Sequence, residues 1–294
     1  MGQPFFVYVL ISRLLLCAFV PLCIFPVQAD GMDKATMQNE PEKNSMVTMK
    51  NLNITVIYDN NPFRKGLATD WGFSCLIEGV GKTILFDTGG DGAVLLANMK
   101  KLSIDPGEID IVVLSHVHGD HIGGLERFLA MNHAVTVYLP QSFPAKLKDN
   151  LISSGIEIRE VHGPAMICEN VYSTGELGTR IKEQSLIVQT ERGIIVITGC
   201  AHPGIVEIIN EAKDLIHDDE VLLTMGGFHL LNKSRKELKK IAAAFKHLSV
   251  RHVGPCHCSG ELTRQIFEEE YREYFINVGV GKEISGMVLI NRNM

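Results

Sequence analysis

A chain of 294 residues carrying 28 Lys and Arg against 34 Asp and Glu is weakly acidic, with a formal net charge of −6. That balance, with no basic cluster, argues against nucleic acid as a partner, because neutralising a phosphate backbone needs a patch of Lys and Arg. The length accommodates one layered α/β domain, and seven cysteines without a CxxC pair form neither a disulfide framework nor a paired-cysteine zinc knuckle.

Residues 1–29 read as an export signal. An apolar run from Leu14 to Val27 follows Arg13, and Val27-Gln28-Ala29 has the small-residue spacing of a signal-peptidase site. The competing reading of the same stretch is an uncleaved membrane anchor, since Phe5 to Leu10 lengthens the apolar run while Pro21 and Pro26 interrupt it. The expectation is therefore a periplasmic or secreted protein, or one held at a membrane by its leader alone. Loss of the leader removes only Arg13 from the charge count, leaving 27 bases against 34 acids, near −7. It also removes Cys17 and Cys23, leaving Cys75, Cys168, Cys200, Cys256 and Cys258. Residues 30–51 are rich in Met, Asn, Lys and Glu without an apolar period and read as a flexible spacer, so the folded domain is expected over 52–294.

Asn53 to Tyr58, Phe73 to Glu78 and Thr83 to Asp87 are short apolar or alternating runs separated by Gly, Pro and Asn, which predicts an opening β-meander. The loop from Asp59 to Trp71 joins the first two strands and carries apolar side chains, so it is either a flap over a site or an ordinary connection. A helix follows through Leu102, and the Asp105-Pro106-Gly107 turn leads to a buried strand, Ile111 to Ser115. Directly after it comes His116-Val117-His118-Gly119-Asp120-His121. Such an HxHxDH string arises by chance on the order of 10⁻³ times in a chain of this length, too rarely for a polar loop that happens to hold histidines. Four ligating side chains at a strand's C-terminal edge suit a cation, with Gly119 expected to allow the reversal that turns Asp120 and His121 back toward His116 and His118.

Beyond the motif, a helix is expected from Ile122 to about Asn132, a strand at Ala134 to Leu139, a helix near Phe143 to Ile152 and a strand at Ile156 to Val161. Strands recur at Ser185 to Thr190 and Gly193 to Thr198. A helix after Pro203 has Ile205, Ile208, Ile209, Ala212 and Ile216 on one face. Val221 to Met225 is a strand, Ser234-Arg235-Lys236-Glu237 is a capping box, His252-Val253-Gly254 closes a strand, and Ser259 is expected to cap a last helix. The alternation predicts two mixed sheets face to face with helices outside, a four-layer α/β sandwich.

Two later segments repeat the placement of a histidine just past a buried strand: Thr198-Gly199-Cys200-Ala201-His202 and Gly254-Pro255-Cys256-His257-Cys258. His202 and His257 are thus further candidate ligands. His229, in Gly226-Gly227-Phe228-His229-Leu230, faces either metal or substrate. Asp87, ending a strand before two glycines, is placed either to accept a ligand imidazole's free N–H or to make an Asx turn.

HxHxDH after a strand, the upstream Phe86-Asp87-Thr88-Gly89 and the later loop histidines resemble the metallo-β-lactamase superfamily over residues 52 to about 290. The combination of Thr198 to Ile205, Gly226 to Leu230 and His257 to Gly260 is similar to the branch of 7,8-dihydropterin-6-methyl-4-(β-D-ribofuranosyl)aminobenzene 5′-phosphate synthases and related hydrolases. The resemblance implies an αββα sandwich in which His116, His118 and His202 hold one ion and Asp120, His121 and His257 the other. Against the commoner superfamily pattern, Cys200 stands where a bridging Asp is usual and Glu183-Gln184 where a histidine is usual. Cys200 is then either a ligand or a small buried residue, and Glu183 a second candidate for the bridge. His118, at a position where the di-iron oxygen-reducing branch has a carboxylate, argues against that chemistry.

The cofactor expected is a pair of divalent ions, zinc first, with Mn and Fe admitted by the same N/O donors. The function expected is hydrolysis of a small ester, lactone, amide or phosphoester by a hydroxide formed at the dinuclear site, with Asp120 and His229 as the catalytic side chains. The alternatives are a synthase-like condensing enzyme and a non-catalytic metal or ligand binder.

Overall fold

The run Gly193–Thr198 is buried at all six positions, which a strand achieves only where both faces are covered. Its Ile195 and Ile197 pack toward the facing sheet, while Ile194 and Val196 pack toward helices. The period-2 alternation is therefore present in the packing but hidden in the hydrophobicity. Residues 46–291 are described by the structure, a computed structural model; the predicted leader and nearly all of the spacer lie outside them.

In chain order the elements are β1 (Asn53–Asp59), β2 (Phe73–Glu78), β3 (Ile84–Phe86), α1 (Gly92–Leu102), β4 (Ile111–Val113), α2 (Gly119–Ile122), α3 (Leu125–Leu129), β5 (Thr136–Pro140), α4 (Ala145–Ser153) and β6 (Glu157–Val161). The second half follows with β7 (Ala165–Cys168), β8 (Val171–Ser173), β9 (Leu186–Thr190), β10 (Gly193–Thr198), α5 (Ile205–Ile216), β11 (Val221–Gly227), α6 (Arg235–His247), β12 (Val250–Cys256), α7 (Glu261–Tyr271), β13 (Glu283–Ser285) and α8 (Gly286–Asn291). One sheet has the order β13-β1-β2-β3-β4-β5-β6 and the other β12-β11-β10-β9-β8-β7. Each is antiparallel at one end and parallel at the other: β3 through β6 run parallel, as do β10, β11 and β12.

Three cores account for the layers. Ile54, Phe86 and Val113 of the first sheet meet Leu186, Ile197 and Met225 of the second. Leu85 and Val112 pack outward with Leu95 of α1 and Phe128 of α3. Ile194 and Val196 pack with Ile208 of α5, Phe245 of α6 and Phe267 of α7. This is the four-layer αββα sandwich that the sequence predicts. The capping box is also present, Ser234 accepting from the Glu237 amide and Glu237 from that of Ser234.

Several expectations are corrected. The spacer ends sooner than residue 51: Val47 and Met49 are buried in the inter-sheet core, Val47 donates to the Gln189 carbonyl and accepts from the Glu191 amide. Two such residues are too few to give a period. The β7–β8 hairpin, turning at left-handed Asn170, was not legible because its strands are four and three residues long. The helix after the motif begins at Gly119 and breaks at Gly123-Gly124, whose missing side chains let the backbones of Gly90 and Thr88 approach closely. Gly119 itself has no positive φ and open space at its Cβ, so the reversal comes from the helix N-terminus and not from glycine. On α5, the expected Ile216 is half-buried and packs against the same core as Ile208 and Ile209, and Leu215, not expected, is fully buried beside it. Gly260, not Ser259, caps α7; the Ser259 hydroxyl accepts from the Phe228 amide instead. Among the described residues no helix is long and apolar enough to cross a membrane.

Candidate metal centre

The parallel strands deliver their C-terminal ends to one edge, and the polar residues that follow them converge there. Asp87 follows β3. Its carboxylate accepts from the Ser115 amide at 2.7 Å, the Ser115 hydroxyl at 2.7 Å and His121 Nδ1 at 2.6 Å, all buried. Because Ser115 Oγ spends its proton on Asp87, it serves as the acceptor for His116 Nδ1–H at 2.9 Å. The network thus assigns His116 and His121 as Nδ1–H tautomers, with the lone pair of each Nε2 aimed inward.

His116 Nε2 lies 3.0 Å from His118 Nδ1 and 3.3 Å from His202 Nε2, and those two are 3.2 Å apart. Three mutually close imidazole nitrogens cannot all be matched donor to acceptor, since each carries either a proton or a lone pair and at least two must be alike. A cation resolves the conflict. Nitrogens on a tetrahedral zinc with bonds of about 2.0–2.1 Å stand about 3.3 Å apart, close to what is seen.

A second cluster is built the same way. His257 gives its Nδ1–H to Asn60 Oδ1 at 3.1 Å and its backbone amide to Asp59 Oδ2 at 3.2 Å. Its Nε2 then faces His121 Nε2 at 3.2 Å, lone pair to lone pair. Asp120 Oδ2 stands 3.3 Å from His257 Nε2 and 3.7 Å from His121 Nε2. The donors fit a cation here too, through the same unmatched nitrogens.

Cys200 Sγ lies 3.2 Å from His121 Nε2 and belongs, by spacing, to both the His116–His202 and the His121–His257 groups. It stands between the clusters, where a shared ligand would be. Glu183, the other candidate for that role, is engaged elsewhere. Its buried carboxylate accepts from the amides of Cys200, Ala201 and His202, each at 2.8 Å, and so shapes the loop. Burial pushes its pKa up, with the three amides pulling against that shift. Ala201, His229, His257 and Asp87 all hold left-handed backbone, conformations that cost about 1–3 kcal/mol each and gather where function demands them.

His229 is exposed, its ring 4.4 Å from that of His202, and its donor atom groups with those of Cys200 and Cys258 within 4.8 Å. It sits at the mouth of the first cluster. Trp71, 48% exposed, covers the second, its ring 4.9 Å from that of His257. The loop carrying it is tied down: Tyr58 donates to Asp70 at 3.0 Å, and Asn98 of α1 bonds Ala68 through both amide atoms. It is a fixed wall over the centre.

The clusters differ electrostatically. Burial and neighbouring imidazoles hold His116 far below the usual histidine range and bring His202 down to about 4. Burial also opposes charge on His121, but the Asp87 carboxylate outweighs it and the pKa is raised.

The structure brings together all of His116, His118, Asp120, His121, His202 and His257, with His229 beside them. Cys200, already a candidate ligand, lies between them, and behind the donors stand Ser115, Asp59 and Asn60, which the sequence reading missed as positioning groups. An Asp-Asn pair closing an apolar run was the available signal for the last two.

Adjoining imidazole, carboxylate and thiol donors at the edge of an αββα sandwich define a class. The sequence profile of the metallo-beta-lactamase superfamily matches residues 72–216, and the chain is similar to members of that superfamily in sequence and in fold. It is 28% identical to a 7,8-dihydropterin-6-methyl-4-(beta-D-ribofuranosyl)-aminobenzene-5′-phosphate synthase of Methanocaldococcus jannaschii, across 76% of this chain and 92% of that protein. Among solved structures it is similar to Tm1679, a metal-dependent hydrolase of the beta-lactamase superfamily, with 29% identity, a TM-score of 0.67 and coverage of 79% of this chain and 98% of that one. YhfI of Bacillus subtilis, at 12% identity and a TM-score of 0.58 over 80% of this chain and 99% of its own, shares the fold.

Proposed function

We propose that this protein is a metal-dependent hydrolase acting on a small ester, lactone, amide or phosphoester, exported or held at a membrane by its leader. The observation that carries the reading is the pair of inward-facing donor sets around Cys200, with the side chain of Asp120 23% exposed beside them. His116, His118 and His202 would hold one divalent cation, and Asp120, His121 and His257 the other, with Cys200 shared; zinc suits this mixture of imidazole, carboxylate and thiolate. Such a pair supplies, when bound, water acidified into the neutral range and polarisation of the oxygen under attack.

The chain's own groups do the rest. Asp120, half-buried at the second cluster, orients the attacking water, takes its proton and returns it to the leaving group. His229, exposed beside His202, offers a hydrogen bond to the substrate oxygen or leaving group. Trp71 keeps bulk water from one side and gives a flat apolar wall against which the substrate lies. The likeness to a protein named a metal-dependent hydrolase supports the reading.

A second reading has its own support, for the Methanocaldococcus jannaschii relative is named a synthase. Purified protein loaded separately with Zn, Mn or Fe is assayed on esters, lactones, β-lactams and phosphodiesters, with His118→Ala as the blank. Chelator-sensitive turnover of one class is the expected result. Full metal loading with no hydrolysis, alongside formation of the product for which that relative is named, puts the synthase reading first. Full loading with neither activity leaves a metal-binding protein.

A further inference from the structure

Cys258 takes no part in either histidine cluster, yet its sulfur lies 3.3 Å from that of Cys200. The two thiols are 3% and 5% exposed, and the Cys258 thiol also points to the Cys200 carbonyl at 3.6 Å. Gly227 at the end of β11 packs against both: a side chain there would come within 2.8 Å of Cys258 Sγ and 3.1 Å of Cys200 Cα. The loops after β10 and β12 are thereby pressed together with their sulfurs in contact, and exposed His229 has its donor atom within 4.8 Å of both. The spacing disfavours a third metal site made of Cys200, Cys258 and His229. Two thiolates on one tetrahedral zinc, with bonds of about 2.3 Å, stand about 3.8 Å apart; these sulfurs are closer, and need only a short approach to reach a bond of about 2.05 Å.

We propose that Cys200 and Cys258 form a reversible disulfide, a modification site whose reagent class is two-electron thiol oxidants. Each thiol gives up its hydrogen and an S–S bond forms. An oxidant of the diazenedicarboxamide type takes up both hydrogens and both electrons, its N=N becoming the hydrazine HN–NH. A dithiol reductant reverses the step. Because Cys200 stands between the two donor clusters, the bond withdraws the sulfur that they share. This rests on the assignment of Cys200 to the metal centre, and it ties cation loading to the oxidation state of one pair.

The test uses the full chain, freed of metal with a chelator and treated with diamide. Free thiols are counted by alkylation, the linked peptides are mapped by mass spectrometry, and zinc binding is titrated before oxidation, after it, and after dithiothreitol. The expected result is one intramolecular bond, Cys200 to Cys258, with zinc affinity at one or both clusters weakened about tenfold or more and recovered on reduction. Protein loaded with zinc beforehand reacts about tenfold more slowly. Cys258→Ser binds zinc as the unmodified protein does and keeps that binding through diamide treatment. If that variant does not fold, the peptide map and titration of the unmodified chain decide alone. The proposal is overturned by a bond between any other pair, by both thiols surviving in the metal-free protein, by unaltered zinc affinity in the oxidised protein, or by a third zinc equivalent that Cys258→Ser abolishes. Failure of the reduced protein to bind zinc at all would instead strike the metal-centre reading, and the peptide map would still report on the disulfide.

Discussion

The two donor clusters share a sulfur and an edge of the fold, but not an electrical character. In the first, burial and neighbouring imidazoles push His116 far below the usual histidine range and bring His202 down to about 4. The second has Asp120 among its donors and Asp87 behind His121, and that imidazole is raised. Negative charge concentrated on one side means that two chemically similar cavities would not bind cations equally. The second should fill first and empty last, because a carboxylate and an imidazole supported by another carboxylate make the more basic donor set.

The most damaging way to break this contrast is Asp87→Asn. It replaces the carboxylate that accepts from Ser115 twice and from His121, and turns an amide N–H₂ toward groups that donate. The expected outcome is about 3–5 kcal/mol lost in denaturant unfolding and loss of measurable metal at the second cluster. Next comes His118→Ala, which removes a donor from the first cluster alone. Elemental analysis after desalting should find one equivalent retained and one lost; loss of both would mean that the clusters are not separable. Asn60→Ala frees the Nδ1–H and the backbone carbonyl of His257, and should weaken a single binding step by about 10–100-fold in a calorimetric titration while leaving the other unchanged.

The smallest effect is that of pH on the metal-free protein. A histidine whose folded pKa is depressed binds its proton more weakly than in the unfolded chain, so its contribution to stability is present above the unfolded value, about 6.5, and falls away as the pH drops toward the folded one. For His202 that window runs from about 6.5 to about 4. His121 has the opposite sign: its raised pKa stabilises at low pH and the gain is lost as the pH climbs through the folded value. Thermal melts of His202→Ala against the parent, both stripped of metal, should therefore differ in their pH dependence, the parent losing stability more steeply than the variant between pH 6.5 and about 4.

The half of this centre that is local in sequence was readable from it. HxHxDH follows a buried β-branched run, and its spacing alone argues for a cation. The distant half was readable only as histidines past strand ends, because what aims them is long-range: Glu183 grips the backbone of residues 200–202 from across a loop, and Asn60 reaches His257 from 197 positions away. No periodicity encodes such contacts. The layers were legible because continuous apolar runs need cover on both sides. The β7–β8 hairpin and the breaks around Gly123-Gly124 were not, since both depend on neighbours that the local pattern does not name.

The short stretch at Val47 has a consequence of its own. By bonding beside β9 while Leu52 accepts from Gly286 at the far sheet's margin, it stitches the two halves of the sandwich together just ahead of the first strand. A shortened protein begun at the first strand would leave that seam open and bare the apolar surface beneath Val47 and Met49, so a cut made for crystallisation belongs upstream of both.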